Sequence, residues 1–255
     1  MTDPARLPAG AEARLVDVTN AHAYPASLSP LLTGSLAVRV RAAIDVDLAA
    51  RWARGVREAR EHWVNDFDGS QFSLGRAWYT HLEQDRSAAY FTGVATSNAN
   101  VEQACPALQQ TMRALATRVV GAAVVARSGW CGPGVHVFPA GAPVALEGGE
   151  VHFDTEGLTP AHVSDRGPAL TLVLMLQPPV SGGGLRVWDV TYRGSDFYDD
   201  EDLEQQHVTC AYGAGDLVVI DSYRLHQIQP FEGQTDRISA TCHAAFVAGQ
   251  WETWF

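Results

Sequence analysis

The sequence predicts a mainly β protein, a closed barrel or a pair of packed sheets, supported by N-terminal α-helices. Two observations lead to this prediction. From about residue 127 onward, short β-like runs are separated by Gly, Pro, Asp and Asn, which is typical of an all-β body. Before that point, apolar residues recur at steps of three and four in two segments, as they do on the buried face of a helix.

The first half of the chain is predicted to contain an extended arm, one strand and two helices. Residues 1–33 show little periodicity and are expected to pack on the body or to fray. Residues 35–44 alternate in hydrophobicity, which predicts a half-buried strand. The apolar stripe of the first helix is Ile44, Leu48, Trp52, Val56, Ala59 and Trp63. That of the second is Cys105, Leu108, Met112, Leu115 and Val119.

Each helix has a candidate start. Asp45 or Asp47 is suited to cap the first helix, because a short acidic side chain accepts hydrogen bonds from free backbone N–H groups. Pro106 is tolerated only in the first turn of a helix, so the second helix is expected to begin near it.

Eight strands are predicted in the second half. They are residues 135–139, 150–153, 169–176, 184–190, 207–212, 216–221, 224–229 and 237–247. Residues 170–176 are predicted to form a buried central strand. Since neither an internal repeat nor a long linker is evident, we expect a single domain over residues 1–255, with an arm (1–33), a helical support layer (34–126) and a β core (127–255).

Composition narrows the possible partners. The chain has 255 residues, 46% of them hydrophobic, and a net charge of −11, which argues against a nucleic-acid backbone as a partner. No apolar run approaches the roughly 20 residues that span a bilayer. The first residues lack the pattern of a secretory signal, and the four cysteines have no CxxC spacing. We therefore expect a cytoplasmic protein that binds neither nucleic acid nor membrane.

All 18 basic residues are arginine. This excludes a Schiff-base lysine, a pyridoxal-phosphate anchor and a Walker A loop, because each of these requires a lysine ammonium group. Any carboxylate that the protein binds through a permanent cation must therefore be bound by arginine.

A candidate metal site is formed by His152, Asp154 and His226. His152 and Asp154 are two residues apart on a predicted strand, so both side chains are expected to face one side. Two imidazoles and one carboxylate are the ligands that suit Fe(II) with open coordination positions. A second His-x-acid pair, His81 and Glu83, lies outside the β body and is not expected to bind a metal.

The layout of His152, Asp154 and His226 with Arg237 and Ser239 resembles that of the Fe(II)/2-oxoglutarate-dependent dioxygenase superfamily, particularly its prolyl-hydroxylase-like and phytanoyl-CoA-hydroxylase-like branches. Residues 183–188, Gly-Gly-Leu-Arg-Val-Trp, look like a strand entry often seen in that superfamily. The resemblance spans residues 130–247. It implies a double-stranded β-helix, a jelly-roll or cupin-like barrel, as the β core.

The resemblance also implies roles for the residues. His152, Asp154 and His226 would bind Fe(II), with 2-oxoglutarate and O₂ as cosubstrates. Arg237 would pair with the distal carboxylate of 2-oxoglutarate, as a planar guanidinium does well, and Ser239 would add a hydrogen bond. The competing interpretation of Arg237 is a surface ion pair with Asp236.

The implied reaction is hydroxylation of an unactivated C–H bond in a small molecule, an amino acid or a specialised metabolite, with release of succinate and CO₂. Because related halogenases lack the carboxylate ligand, Asp154 favours hydroxylation, desaturation or cyclisation. Arg224 has the same strand parity as His226 and is predicted either to contact substrate or to form an ion pair at the rim. The acidic run 195–206 is either a solvated loop or a lid that favours a cationic substrate.

Two alternatives stay open. One is a barrel iron oxygenase that does not use 2-oxoglutarate. The other is a non-catalytic, cupin-like module that binds a metal or ligand. The sequence makes no prediction of oligomeric state.

Overall fold

A large mixed β-sheet with helices packed on one face dominates the fold. The computed structural model describes residues 15–18, 27 and 32–255. The strands are β1 Leu15–Val18, β2 Ala37–Val40, β3 Val64–Asp66, β4 Gln71–Leu74, β5 Val124–Ala126, β6 Gly134–Phe138, β7 Ala169–Gln177, β8 Ser181–Gly182, β9 Leu185–Thr191, β10 His207–Cys210, β11 Leu217–Asp221, β12 Arg224–Ile228, β13 Phe231–Glu232, β14 Arg237–Val247 and β15 Gln250–Trp254.

The helices come mostly from the first half of the chain. The α-helices are α1 Val46–Glu58, α2 Trp78–Glu83, α3 Ser87–Thr92, α4 Val94–Ala104, α5 Leu108–Val120, α6 Pro143–Glu147, α7 Pro160–Ser164 and α8 Asp200–Leu203. The side chain of Asp45 caps α1 by accepting from the Asp47 N–H, as predicted. Among the described residues, no helix has the length and apolar character needed to cross a bilayer.

The large sheet has ten strands. Its main path runs β1-β2-β11-β7-β14-β6-β4-β3, and β15 joins β14 to β5. Two pairs, β1/β2 and β5/β15, are parallel, whereas the other pairs are antiparallel. A smaller sheet, β10-β9-β12, and a two-stranded pair, β8/β13, complete the β structure.

The two faces of the large sheet bury different cores. Along β7, Leu172 and Leu174 pack toward the helices, in the same cluster as Trp52 of α1 and Met112 of α5. The intervening Val173 packs with residues of the smaller sheet. Because strand side chains alternate between faces, β7 is buried on both sides, as expected for a central strand. The space between the two sheets holds the candidate site.

Several predicted elements differ from the structure. Residues 150–153 form no strand and contribute one isolated bridge, between His152 and His226. Cys105 is not part of α5 but ends α4, and α5 begins at Leu108, after Pro106. Within the predicted arm, Leu15–Val18 pairs with β2, while residues 1–14, 19–26 and 28–31 lie outside the described part of the chain.

The predicted support layer supplies more than helices. Residues 34–126 also contribute β2, β3, β4 and β5 to the large sheet, so this sheet crosses the predicted boundary at residue 127. In strands of three or four residues, the alternation of apolar and polar side chains is too short to distinguish a strand from a loop. The organisation as one domain stays a prediction.

Candidate metal centre

The segment that carries His152 and Asp154 is clamped against β12. His152 and His226 exchange both backbone hydrogen bonds, at 3.1 Å and 3.0 Å, and the Asp154 N–H donates to the Ser222 carbonyl at 2.9 Å. This pairing keeps the segment extended without a continuous strand. Since side chains alternate along an extended backbone, His152 and Asp154 face the same side.

The three predicted ligands converge. One donor atom from each of His152, Asp154 and His226 lies within 4.8 Å of the other two. The Nε2 atom of His152 is 3.5 Å from Asp154 Oδ1, and that of His226 is 3.2 Å from Oδ2. Among the described residues, no other group of three His, Cys, Asp or Glu side chains meets in this way. The site could therefore hold a metal ion.

The tautomer of both imidazoles suits metal binding. The Nδ1–H of His152 donates to the Glu150 carbonyl at 2.8 Å, and that of His226 to the Arg224 carbonyl at 2.9 Å. A hydrogen bond from one ring nitrogen fixes the ring and leaves the lone pair of the other nitrogen free for a metal. In both histidines that free nitrogen is Nε2, the atom directed at Asp154.

Asp154 is held by a hydroxyl network. Thr171 of β7 donates to Asp154 Oδ2 at 2.6 Å. The same Thr171 oxygen lies 3.0 Å from the Ser222 hydroxyl and 3.2 Å from His243 Nδ1. Partners of this kind orient a metal-binding carboxylate. Thr171 therefore holds the carboxylate directly, and Ser222 and His243 hold Thr171.

The electrostatics favour an ionised carboxylate. Burial raises the pKa of Asp154, but electrostatic interactions with His226 and His243 and hydrogen bonds with His152 and His226 outweigh burial and hold this pKa well below its usual value. Burial likewise lowers the pKa of His152, yet the hydrogen bond and charge of Asp154 raise it to about 9. Metal and protons therefore compete for His152.

Arg237 is a buried cation with no acidic partner. Only 1% of it is exposed, and it forms no ion pair with any described residue. Its guanidinium donates to the Gly183 carbonyl at 3.1 Å, to Ser239 Oγ at 3.1 Å and to the Tyr212 hydroxyl. Asp236 accepts instead from the Ala140 N–H, so the surface ion pair of the competing interpretation does not form. An unpaired buried charge is costly, and an anionic ligand would relieve this cost.

One cavity joins the metal centre to Arg237. Its volume is about 340 Å³, within the usual range for small-molecule sites. The predicted ligands line it together with Arg237 and Ser239. Its apolar walls include Phe67, Phe138, Val173, Leu185 and Ile228. The space is therefore suited to a small molecule held between two polar ends.

Arg224 is placed differently from the other predicted site residues. Its guanidinium pairs with Asp189, and it is not among the described residues that line the cavity. The register between β12 and β9 shifts between Arg224 and His226, so strand parity, the basis of the prediction, does not carry over. We therefore leave Arg224 out of the proposed site.

The side chains of the other His-x-acid pair, His81 and Glu83, lie in different surroundings. His81 is buried in α2, where its Nδ1–H donates to the Ala77 carbonyl at 2.8 Å. Glu83, two residues later, lines the cavity instead. A helical backbone turns residues two apart to different sides, which explains why the pair cannot act as one.

Sequence reasoning missed several lining or supporting residues. Of these, Thr171 is a polar residue inside a buried apolar strand, and His243 continues the two-residue period of Arg237, Ser239 and Thr241 along β14. Both patterns can be read from the sequence and could have identified these two residues. Tyr212 and His136 gave none, because their contacts with this region depend on the packing of distant segments.

Comparison with solved structures identifies the fold. No protein-family model and no curated protein matches the sequence. The crystal structure of the non-heme alpha ketoglutarate dependent epimerase SnoN from nogalamycin biosynthesis superposes with a TM-score of 0.51 at 15% identity, covering 82% of this chain and 78% of SnoN. The chain has a SnoN-like fold. At this identity the similarity shows the fold alone.

A second SnoN structure contains ligands. It is the complex of SnoN with Fe3+, alpha ketoglutarate and nogalamycin RO, and it superposes with a TM-score of 0.50 at 16% identity, covering 82% of this chain and 81% of SnoN. In the present chain, two imidazole nitrogens and a carboxylate fit the donor chemistry of non-heme iron. The unpaired Arg237 fits a dicarboxylate beside it.

Proposed function

We propose that the protein is an Fe(II)- and 2-oxoglutarate-dependent oxygenase that acts on a C–H bond of a small molecule. The observation that carries this proposal is the buried, acid-free Arg237 in the same cavity as His152, Asp154 and His226. A metal site alone would suit many functions. A metal site with an anion-binding arginine at its side suits a chelating oxoacid.

The roles proposed for the residues follow from their contacts. His152 and His226 would bind the metal through Nε2, and Asp154 through its carboxylate. Arg237 and Ser239 would hold the distal carboxylate of 2-oxoglutarate. We also propose that the two facing sheets form a double-stranded β-helix, which the SnoN-like fold supports.

The chain's own residues would act by binding, orienting and excluding water. When bound, iron and 2-oxoglutarate would together use O₂ to supply the oxidant that removes hydrogen from a C–H bond. Thr171 holds the Asp154 carboxylate in place, and the side chains of Val173, Leu185 and Ile228 keep apolar surface against the reacting region. Positioning and a dry cavity are the protein's main contributions when a cofactor carries the chemistry.

Hydroxylation is the outcome we favour, with desaturation or cyclisation as variants of the same hydrogen removal. The ionised Asp154 speaks against halogenation, which in related enzymes uses the position of the carboxylate. Because SnoN is an epimerase, epimerisation is a second candidate. Product analysis separates the two, since hydroxylation adds an oxygen atom and epimerisation leaves the mass unchanged.

Anaerobic spectroscopy tests the proposal. Fe(II) and 2-oxoglutarate together are expected to give a weak visible charge-transfer band with the parent chain, and to give succinate in air. His226→Ala should abolish both, because it removes one of three metal ligands. His62→Ala, an exposed histidine remote from the cavity, is the control.

The same experiment separates the alternatives. An oxygenase that does not use 2-oxoglutarate would consume oxygen without forming succinate. A non-catalytic module would bind metal without consuming oxygen. A parent chain that shows neither the charge-transfer band nor succinate formation would contradict the proposal.

A further inference from the structure

We infer that the substrate carries a positive charge, a protonated amine or a comparable cation, which Glu83 and Glu156 bind at the outer part of the cavity. This inference rests on the proposed function and adds a substrate class to it. Its basis is the set of charged side chains that line the cavity, together with a buried histidine nitrogen there that has no hydrogen-bond partner.

The acidic residues of the cavity come from three segments. Glu150 precedes His152 by two residues, and Glu156 lies in the turn that follows Asp154. Glu83 comes from α2 and Glu147 from α6. All four glutamates line the cavity.

None of these glutamates forms an ion pair with a described residue. Two buried acids elsewhere, Asp66 and Asp202, pair with Arg86 and Arg193. The cavity has Arg237 as the single arginine among its described lining residues, and Arg237 is buried at the end assigned to 2-oxoglutarate. The glutamates therefore face the substrate space without a counter-charge.

Loading the site would not change this imbalance. The two positive charges of Fe(II) and that of Arg237 offset Asp154 and the two carboxylates of 2-oxoglutarate. The histidines that bind a metal are neutral. The four glutamates then remain for the substrate to face, and a cation gains from their field whereas an anion is repelled.

The acidic groups also act on one another. Burial raises the pKa of Glu83, and the negative charges of Glu150 and Asp196 raise it further. Asp196 lies in the acidic run 195–206 and is exposed, so its charge acts on Glu83 although Asp196 does not line the cavity. Like charges held together in this way are stabilised by an added cation.

A second feature indicates that the cavity receives a polar ligand. His136 of β6 is only 6% exposed and lines the cavity, and its Nδ1 has no hydrogen-bond partner. Burial, helped by the charges of His243 and Arg237, lowers the pKa of His136 to about 3, so His136 is neutral and offsets none of the acids. Phe67 and Tyr79 add aromatic faces that favour a cation.

Matched ligands test the inference. Benzylamine and tryptamine, each beside its N-acetyl derivative, and cadaverine, beside its uncharged diacetyl derivative, are titrated anaerobically into the protein with Fe(II) and 2-oxoglutarate, and binding is followed by calorimetry. At least one amine is expected to bind tenfold or more tightly than its acetylated partner. If no amine binds more tightly than its partner, the inference is overturned.

Charge variants supply the second readout. In Glu83→Gln/Glu156→Gln the preference for the amine over its acetylated partner should fall at least tenfold, whereas Glu58→Gln, an exposed residue of α1 outside the cavity, should leave it within twofold. A general loss of folding would not change this ratio selectively. An unchanged ratio in the double variant rejects the role of these two residues.

The two proposals fail separately. A parent chain without the charge-transfer band and without succinate formation contradicts the oxygenase. A parent chain that shows both, yet prefers acetylated or acidic ligands, contradicts only the cationic substrate.

Discussion

Arg237 is oriented before any ligand arrives. Its guanidinium lies between the rings of Phe138 and Tyr212, 5.2 Å and 5.6 Å from their centroids, and Gly183 approaches it closely enough that a Cβ there would lie 3.4 Å from Arg237 Cδ. Gly183 also has a φ of +67°, which glycine adopts without strain. A Cβ on Gly183 would also lie only 2.7 Å from Pro179 Cγ. The glycine of the strand entry is thus required by its backbone conformation and by Pro179, while its carbonyl accepts from Arg237.

Arg237→Ala should weaken the binding of 2-oxoglutarate by at least about thirtyfold, since losing one partner of a buried charge pair costs about 2 kcal/mol or more. Metal affinity should change little, because Arg237 does not contact the metal ligands. Calorimetry with metal alone and then with 2-oxoglutarate measures both quantities.

Arg224→Ala is the matched control for this prediction. Its guanidinium is engaged by Asp189, so its removal should leave 2-oxoglutarate affinity within about twofold. Equal losses in the two variants would contradict the assignment of Arg237.

Thr171→Val tests the support behind Asp154. Valine keeps the shape of threonine but removes the 2.6 Å hydrogen bond to Oδ2, and such losses typically weaken metal binding about 10- to 100-fold. Competition with a chromogenic chelator measures the affinity. Thr209→Val, at an exposed position of β10, should have no effect. Unchanged affinity in Thr171→Val would mean that the hydroxyl does not orient the carboxylate.

At the level of residues, the sequence predicted those site residues that lie near one another in the chain. His152 and Asp154 were found because two residues on one extended segment share a side. For Arg224 the sequence left a substrate contact and an ion pair open, and the structure shows the ion pair with Asp189. The register shift that decides between them is a property of the paired strands, which one strand's sequence does not contain.

Among the elements, α1 and α4 cross very closely at Gly55. A Cβ on Gly55 would lie 1.9 Å from the Ala104 carbonyl oxygen, and backbone atoms at this distance cannot both stay in place. Glycine inside a helix is normally a disadvantage of about 1 kcal/mol relative to alanine. Here the close crossing explains its presence.

Gly55→Ala should therefore destabilise the protein by about 1–3 kcal/mol, the usual cost of overpacking, despite the better helix propensity of alanine. Gly34→Ala, where a new Cβ would meet nothing within 4 Å, is the control. Urea unfolding of both variants measures the difference. A Gly55→Ala protein as stable as the parent would show that the helices separate at little cost.

Long periodic elements were the predictable ones. The stripes of α1 and α5 and the strands β7, β9, β11, β12 and β14 agree with their predicted positions to within a few residues. Helices α2, α3 and α4 and strands β3 and β4 escaped prediction, since none has a strong periodic pattern. Their structure is decided by packing on the sheet, which overrides local propensity.

At the scale of the molecule, the proposed metal ligands come from two parts of the chain. His152 and Asp154 lie 72 or more residues before His226 in the sequence, and they meet only in the folded protein. A metal that binds the folded state selectively stabilises it by about 2.7 kcal/mol at a hundredfold excess over its dissociation constant.

Saturation with Mn(II), an oxygen-insensitive substitute for Fe(II), should therefore raise the melting temperature by roughly 5–10 °C, given about 2–4 °C per kcal/mol for a chain of this size. Calorimetric or fluorescence melting measures the shift. The His226→Ala variant should lose most of it. A shift of the same size in both proteins would place the bound metal elsewhere.

The position of strand β14 in the sheet also affects which oxoacid the site can bind. It is hydrogen-bonded to β7 on one side and to β6 and β15 on the other, and it bears Arg237 near one end and His243, beside the Asp154 network, near the other. The distance from Arg237 to the proposed metal site therefore depends on the pairing of β14 with β7, which carries Thr171, the hydrogen-bond donor to Asp154. Homologous dicarboxylates with one carbon more or fewer should be discriminated by length alone.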